Sequence, residues 1–254
     1  MPRYKLTIEY DGTGTIGWQK QPDRLSIQGA LESAAQQFCG SNVEIVGAGR
    51  TDAGVHAIGQ VAHVDIAKEF DPFQVMQGIN YYLFLPDEQN QASKNRISVT
   101  HAEQVSEEFH ARFSAVKRHY HYRIINRRAR LGLEANRAWH VVEPLDEEAM
   151  QQAANYLLGQ HDFTSFRDSE CQAKSPIKTL DQLDIKRMSE MIAFTVSARS
   201  FLHHQVRIMV GTLAQVGKGR WKPEDVKVAL ESINRTKAGP TAPPDGLYLV
   251  KVDY

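Results

Sequence analysis

The 254-residue sequence has only two cysteines, Cys39 and Cys171. That is too few for a disulfide framework or a Cys-rich metal centre. No apolar run approaches the ~20 residues that a membrane span needs, because polar or charged residues interrupt every candidate. The opening segment, Met1 to Tyr10, has no apolar signal core and is expected to be a strand. Few thiols and no export signal lead to an expected location in a reducing cytoplasm. There is no net charge, since 30 Lys+Arg offset 30 Asp+Glu, and no short-period repeat.

A zero average hides an uneven distribution. Seven basic residues fall between Ala111 and Arg130 (Arg112, Lys117, Arg118, Arg123, Arg127, Arg128, Arg130) with no acid among them. Five more lie between Arg199 and Pro223 (Arg199, Arg207, Lys218, Arg220, Lys222), again without an acid. A neutral protein can still present a phosphate-binding face. The competing account is two solvated faces of no special meaning.

Periodicity outlines the elements. Tyr4, Leu6, Ile8 and Tyr10 alternate with Lys5, Thr7 and Glu9 as in a half-buried strand. Ser26 is a candidate N-cap for a helix carrying Ile27, Leu31, Ala34, Ala35 and Phe38 and closed by Gly40. Val43–Val46 is expected to be a strand that enters a Gly-rich loop, and Gln60–Ile66 strand again. Asp71-Pro72 has the form of a helix start, running to about Ile79. The polar stretch 86–96 is expected to be an exposed loop, followed by a strand over Ile97–Val105.

In the second half, Tyr120, Tyr122 and Ile124 mark a strand, and Asp146 caps a helix expected to end at Gly159. Leu180–Arg187 and Met191–Ala198 suggest a hairpin. Leu202, Val206, Met209, Val210, Leu213 and Val216 form a helical stripe. A short helix after Pro223, a Pro/Gly-rich loop over 238–246 and a strand over Leu247–Tyr254 complete the chain. Strands and helices mix without regular βαβ alternation, so the expected class is α+β with a largely antiparallel sheet. Two similar halves, 1–105 and 106–254, are expected.

The densest chemical signal is Gly47-Ala48-Gly49-Arg50-Thr51-Asp52-Ala53-Gly54-Val55-His56. As a phosphate cradle it fails, lacking a Gly-Lys-Ser/Thr ending and carrying an acid. As a dinucleotide fingerprint it also fails, because Ala57–Ile66 has the pattern of a strand rather than a helix. It is better suited to displaying one carboxylate. On extended backbone Arg50 and Asp52 share a side, and a neighbouring guanidinium would keep the acid ionised, as a carboxylate nucleophile requires. A Gly-rich turn in which Asp52 bonds its own loop is the plainer account.

Two further groupings stand out. Tyr120 lies among Lys117, Arg118, His119, His121 and Arg123, an arrangement of aromatics and bases suited to stacking on RNA, or simply one covered face of a sheet. In Phe201-Leu202-His203-His204-Gln205-Val206-Arg207, Arg207 follows His203 by four residues, so both could flank a cleft. Zinc at the histidine pairs lacks a completing Cys or carboxylate in a familiar ligand set, and no metal is expected.

The segment Gly49 to His56 resembles the catalytic motif of the TruA family of tRNA pseudouridine synthases. Further motifs follow in family order: Glu9-Tyr10-Asp11-Gly12 with Gly17-Trp18-Gln19, Phe109-His110-Ala111-Arg112-Phe113-Ser114, the Tyr120 strand, and His161-Asp162-Phe163-Thr164-Ser165-Phe166. Phe201 to Arg207, Ala238 to Pro244 and Gly246-Leu247-Tyr248-Leu249 complete a match over nearly the whole chain.

The resemblance implies a pseudouridine synthase fold, with two α+β halves and a catalytic cleft between them. It also implies isomerisation of uridine to pseudouridine at positions 38, 39 and 40 of the tRNA anticodon arm, by a cofactor-free homodimer with no membrane association. By position, Asp52 matches the nucleophile, Arg50 the adjacent arginine and Arg207 the basic residue paired with the aspartate, and these three are the expected catalytic residues. Tyr120 matches the tyrosine that stacks on the target base, and Leu247 an apolar wall. Arg118, Arg123 and His203 are expected to help bind substrate, and Arg127 and Arg128 to touch phosphate, giving affinity that falls steeply with salt. The polar stretch after Leu85-Pro86 is longer than the family pattern. The alternatives are a catalytically inactive tRNA-binding protein of the same fold, which an intact Arg50, Asp52, Tyr120 and Arg207 set opposes, and a glycosylase, which would release free base.

Overall fold

Tyr4, Leu6, Ile8 and Tyr10 all sit on the buried face of β1 (Arg3–Tyr10), as their alternation predicts. The computed structural model describes residues 1–22, 24–85 and 96–254. These divide into two units, Met1–Val116 with Tyr248–Tyr254, and Lys117–Leu247.

In the first unit β1 lies between β3 (His56–Asp65) and β4 (Ile97–Val105) and is antiparallel to both. The short β2 (Ile45–Gly47) pairs antiparallel with β3, while Tyr248 and Leu249 of β10 (Leu247–Asp253) run parallel to its start at His56 and Ala57. Two helices accompany this sheet. Ser26 caps α1 (Ile27–Cys39) by accepting the Gly29 N–H, and Gly40 closes it in the left-handed conformation. Asp71 and Gln74 form a capping box on α2 (Pro72–Phe84), with Pro72 in the first turn. This helix runs a turn beyond the expected end near Ile79. There the Asn80 side chain exchanges two 2.8 Å hydrogen bonds with the backbone of Val99 in β4. Most of the polar stretch 86–96 lies outside the described residues.

In the second unit β5 (Lys117–Asn126), β9 (Met191–Ala198), β8 (Ile177–Met188) and β7 (Gly159–Asp162) follow one another across an antiparallel sheet. The strand β6 (Trp139–Val141) runs parallel to β5. Three helices belong here: α3 (Glu147–Asn155), α4 (Gln205–Gly217) and α5 (Pro223–Glu231). Asp146 caps α3 as expected, but the helix stops well before Gly159. That glycine, at φ +91°, instead opens β7. The class is α+β with largely antiparallel strands.

The division between units falls eleven residues later than 105/106, and the last strand returns to the first unit. Local contacts explain this. Val116 donates its N–H to Asp253 O, Tyr254 OH bonds to Ala111 O, and the Phe109 and Tyr254 rings lie 4.8 Å apart.

The same seam buries His63 of β3. Its Nδ1 accepts the Ala111 N–H at 3.2 Å, and its ring meets Phe109 and His110. Burial first, then the charge of Arg3 and the neighbouring His110, lower its pKa to about 4. The unfolded chain therefore takes up this proton near the usual histidine value, and the folded chain only near 4. Between those values the unfolded state binds more protons, so stability falls as pH drops through the window. We expect His63 to remove on the order of 1–3 kcal/mol between about pH 6.5 and 4. His63→Gln should flatten that limb in urea titrations across pH, and an unchanged slope would contradict the assignment.

Candidate active site

The Gly-rich loop between β2 and β3 is held from several directions. Gly49 O accepts a 2.9 Å hydrogen bond from the Gln60 side chain, and Thr51 Oγ1 lies 2.7 Å from the buried Tyr10 hydroxyl. Gln60 also donates to that hydroxyl, so one amide ties the two anchor points together. The Thr51 carbonyl accepts the Trp18 N–H at 3.0 Å, and Val55 N–H closes a turn onto Asp52 O. His56 Nδ1 accepts the Gly12 N–H, and its ring stacks on Tyr248 at 4.7 Å.

Two glycines near the N-terminus are required by this loop. A Cβ on Gly12 would stand 2.1 Å from Val55 O. On Gly17, already at φ +94°, it would stand 2.4 Å from Thr51 O. The Glu9-Tyr10-Asp11-Gly12 and Gly17-Trp18-Gln19 motifs are thus the bracing of the loop. Asp52 is half-buried at its turn, neither sealed in a core nor fully exposed to solvent. Arg50 is exposed and, among the described residues, forms no ion pair. The guanidinium tether expected from Arg50 is therefore not formed, because the loop turns its side chain outward.

In the second unit Tyr120 faces Val196 across the β5–β9 ladder. Alternation puts Arg118, Tyr120 and Tyr122 on one face and Arg123 on the other, so Arg118 accompanies Tyr120 and Arg123 does not. Tyr122 is buried, its hydroxyl donates to Pro243 O at 2.8 Å, and burial raises its pKa well above that of a free phenol. The half-buried Tyr120 ring meets Phe201 edge to face, with centroids 5.2 Å apart and planes at 89°. Arg118 donates to Arg199 O at 2.7 Å. Leu247 is buried, while His203 is half-buried.

Arg207 sits in the first turn of α4. Its Nε donates to Ala242 O at 2.8 Å, and its own carbonyl accepts the Ala242 N–H. The Pro/Gly-rich loop is held against the helix, since Gly239 N–H donates to Thr212 Oγ1 and Arg235 donates to Gly239 O and Thr241 Oγ1. The loop thereby presents the Ala242 carbonyl to the Arg207 Nε. The helix begins at Gln205 rather than at Leu202, where the apolar stripe starts, because His204 takes the left-handed conformation at φ +59°.

The basic stretches divide by partner. Arg127 pairs with Glu190 and also donates to Ala129 O and Arg130 O. Lys117 pairs with Asp181, and Lys218 and Arg220 pair with Glu143. Arg112, Arg128, Arg130, Arg199 and Lys222 are exposed. The expectation that Arg127 touches phosphate meets a guanidinium already engaged on three sides.

The first unit thus holds a half-buried carboxylate on a braced loop, and the second an arginine oriented through its Nε. A family model described as tRNA pseudouridine synthase matches residues 6–114 and 153–254, and the chain belongs to that family. It is 57% identical over all 254 residues to the tRNA pseudouridine synthase A of Bradyrhizobium sp. strain BTAi1, covering the whole of both chains. The protein of that name from Rhodopseudomonas palustris strain BisA53 is likewise 57% identical over the full length of both. That of Nitrobacter winogradskyi is 56% identical over the whole of this chain and 96% of the relative.

Proposed function

We propose that this protein isomerises uridine to pseudouridine at positions 38, 39 and 40 of the tRNA anticodon arm, with Asp52 as nucleophile. The observation that carries the proposal is the braced, half-buried Asp52 loop in a member of the tRNA pseudouridine synthase family. Glycosidases generally use two carboxylates, because a leaving group departs and water arrives. In this isomerisation the uracil stays. The N1–C1′ bond breaks, the base turns, C5 bonds C1′, and the C5 proton leaves to solvent while N1 gains one. One ionised carboxylate in a site that retains the base suffices.

The uridine must leave the stack to meet it, at a cost of a few kcal/mol that stacking and phosphate contacts offset. We assign Tyr120 to stacking, Arg207 to the charge beside the reacting group, and Leu247 to the apolar wall. Arg118 and His203 contact the RNA, as do the exposed Arg112, Arg128, Arg130 and Arg199. Arg50 and Arg123 bind phosphate. The protein acts without a cofactor as a homodimer in the cytoplasm.

The reaction is tested with anticodon-arm RNA tritiated at uridine C5. Tritium should enter the solvent with no free uracil. Liberated uracil would mark a glycosylase instead, and binding without tritium release an inactive tRNA-binding protein.

A further inference from the structure

Helix α4 starts in an unusual way. The residue before it, His204, lies at φ +59° and ψ 5° and offers no side-chain bond to the helix N-terminus. A non-glycine residue in this region is strained and persists only where its surroundings hold it. The hold comes from the short segment Arg167–Cys171. His204 Nδ1 donates to Asp168 Oδ2 at 2.8 Å, and His203 Nδ1 lies 3.9 Å from Asp168 Oδ1. The Asp168 N–H donates to His203 O, and the His203 N–H to Cys171 Sγ. The carboxylate is itself fixed, because Oδ1 accepts the Glu170 N–H at 2.9 Å and Arg167 donates to Cys171 O. The two imidazoles lie against each other with centroids 3.9 Å apart and planes tilted by 31°.

This clamp has a functional group at each end. On one side is Phe201, whose ring meets Tyr120 edge to face. On the other, in the first turn of the helix, is Arg207 with its Nε on Ala242 O. We propose that Asp168 is a positioning residue for isomerisation: through His204 it holds the turn that sets Arg207 and the Phe201 support of Tyr120. The inference rests on the roles assigned above to Arg207 and Tyr120. The Glu170 N–H and then the His204 bond, acting against burial, hold the Asp168 carboxyl below the usual carboxylate range, so it remains an acceptor at neutral pH.

Four variants test it, using full-length protein and unmodified tRNA transcript, with kcat and KM measured together with thermal stability. Asp168→Ala removes the clamp. His204→Gly keeps the left-handed backbone without strain but loses the imidazole. Asp168→Asn keeps an acceptor, and His204→Asn tolerates the left-handed conformation and keeps a donor. We expect kcat to fall about tenfold or more in Asp168→Ala and His204→Gly, with KM within about threefold, because a small misplacement of a reacting group is costly. The two Asn variants should stay within about threefold of the parent kcat. The Arg207 Nε–H resonance, assigned by its loss in Arg207→Lys, should move in Asp168→Ala and not in Asp168→Asn.

Parent-like kcat in both Asp168→Ala and His204→Gly would overturn the proposal. So would a loss that tracks only the unfolded fraction, with the Arg207 resonance unmoved. If Arg207→Lys retains full kcat, it is the role of Arg207 that fails. If Arg207→Lys is inactive while His204→Gly is fully active, the clamp alone fails.

Discussion

Asp52→Asn is expected to lower pseudouridine formation by at least about 10³-fold while leaving tRNA affinity within several-fold of the parent. The change keeps the size and hydrogen-bonding outline of the side chain but removes the charge and nucleophilicity that the chemistry requires. The loop should survive it, because the braces at Gly49, Thr51 and the Asp52 carbonyl are untouched by the change. Single-turnover tritium release and filter binding on the same preparation separate the two effects. A collapse of binding with the fold intact would reassign Asp52 to holding the RNA or the loop. A kcat within a few-fold of the parent would end its role as nucleophile.

The second large effect is expected at Arg207. Its Nε bond to Ala242 O fixes the guanidinium plane, and the loop over 238–242 is itself fastened to α4 through Thr212. Lysine retains the charge but has neither the Nε donor nor the planar fork, so Arg207→Lys is not a conservative change here. We expect kcat to fall about 10²-fold in Arg207→Lys and further in Arg207→Ala, by analogy with the loss of one oriented donor at a reacting centre. Steady-state kinetics with circular dichroism as a folding control checks this. A kcat within twofold in Arg207→Lys would show that any positive charge serves and that the Ala242 anchor is incidental.

Much of this arrangement was legible from local pattern. The alternation in Tyr4–Tyr10 and in Tyr120–Ile124, the Ser26, Asp71 and Asp146 caps, and the stripe of α4 each follow from a period or a capping preference, which are short-range properties. The short strands β6 and β7 carry no such signal, since three or four residues show no period and β7 (Gly159–Asp162) has no large apolar residue. Gly159 carries the same signal whether it closes a helix or opens a strand, and tertiary pairing with Leu180 decided for the strand.

The candidate site was legible in its Gly-rich loop and illegible in its support. The Gly-rich setting of Asp52 marks a displayed carboxylate, yet its anchors, Tyr10 and Gln60, are separated from each other by fifty positions and meet only in the fold. Arg50 illustrates the limit of spacing arguments, because two residues that share a side on extended backbone part company once the loop turns. Arg127 illustrates the limit of counting charges. Its partner Glu190 lies 63 residues away at the β8–β9 hairpin, so an acid-free stretch of sequence is not an acid-free surface. The left-handed His204 had no local signal, since histidine rarely adopts that conformation and the Asp168 clamp that holds it is remote in sequence.

The most direct measurement is a crystal structure of the Asp52→Asn protein bound to anticodon-arm RNA bearing an intact target uridine. That uridine should be turned out of its stack, with the side chain at position 52 within about 3.5 Å of C1′ or of the uracil ring. A uridine still stacked in the RNA, with position 52 remote from both, would contradict Asp52 as the nucleophile.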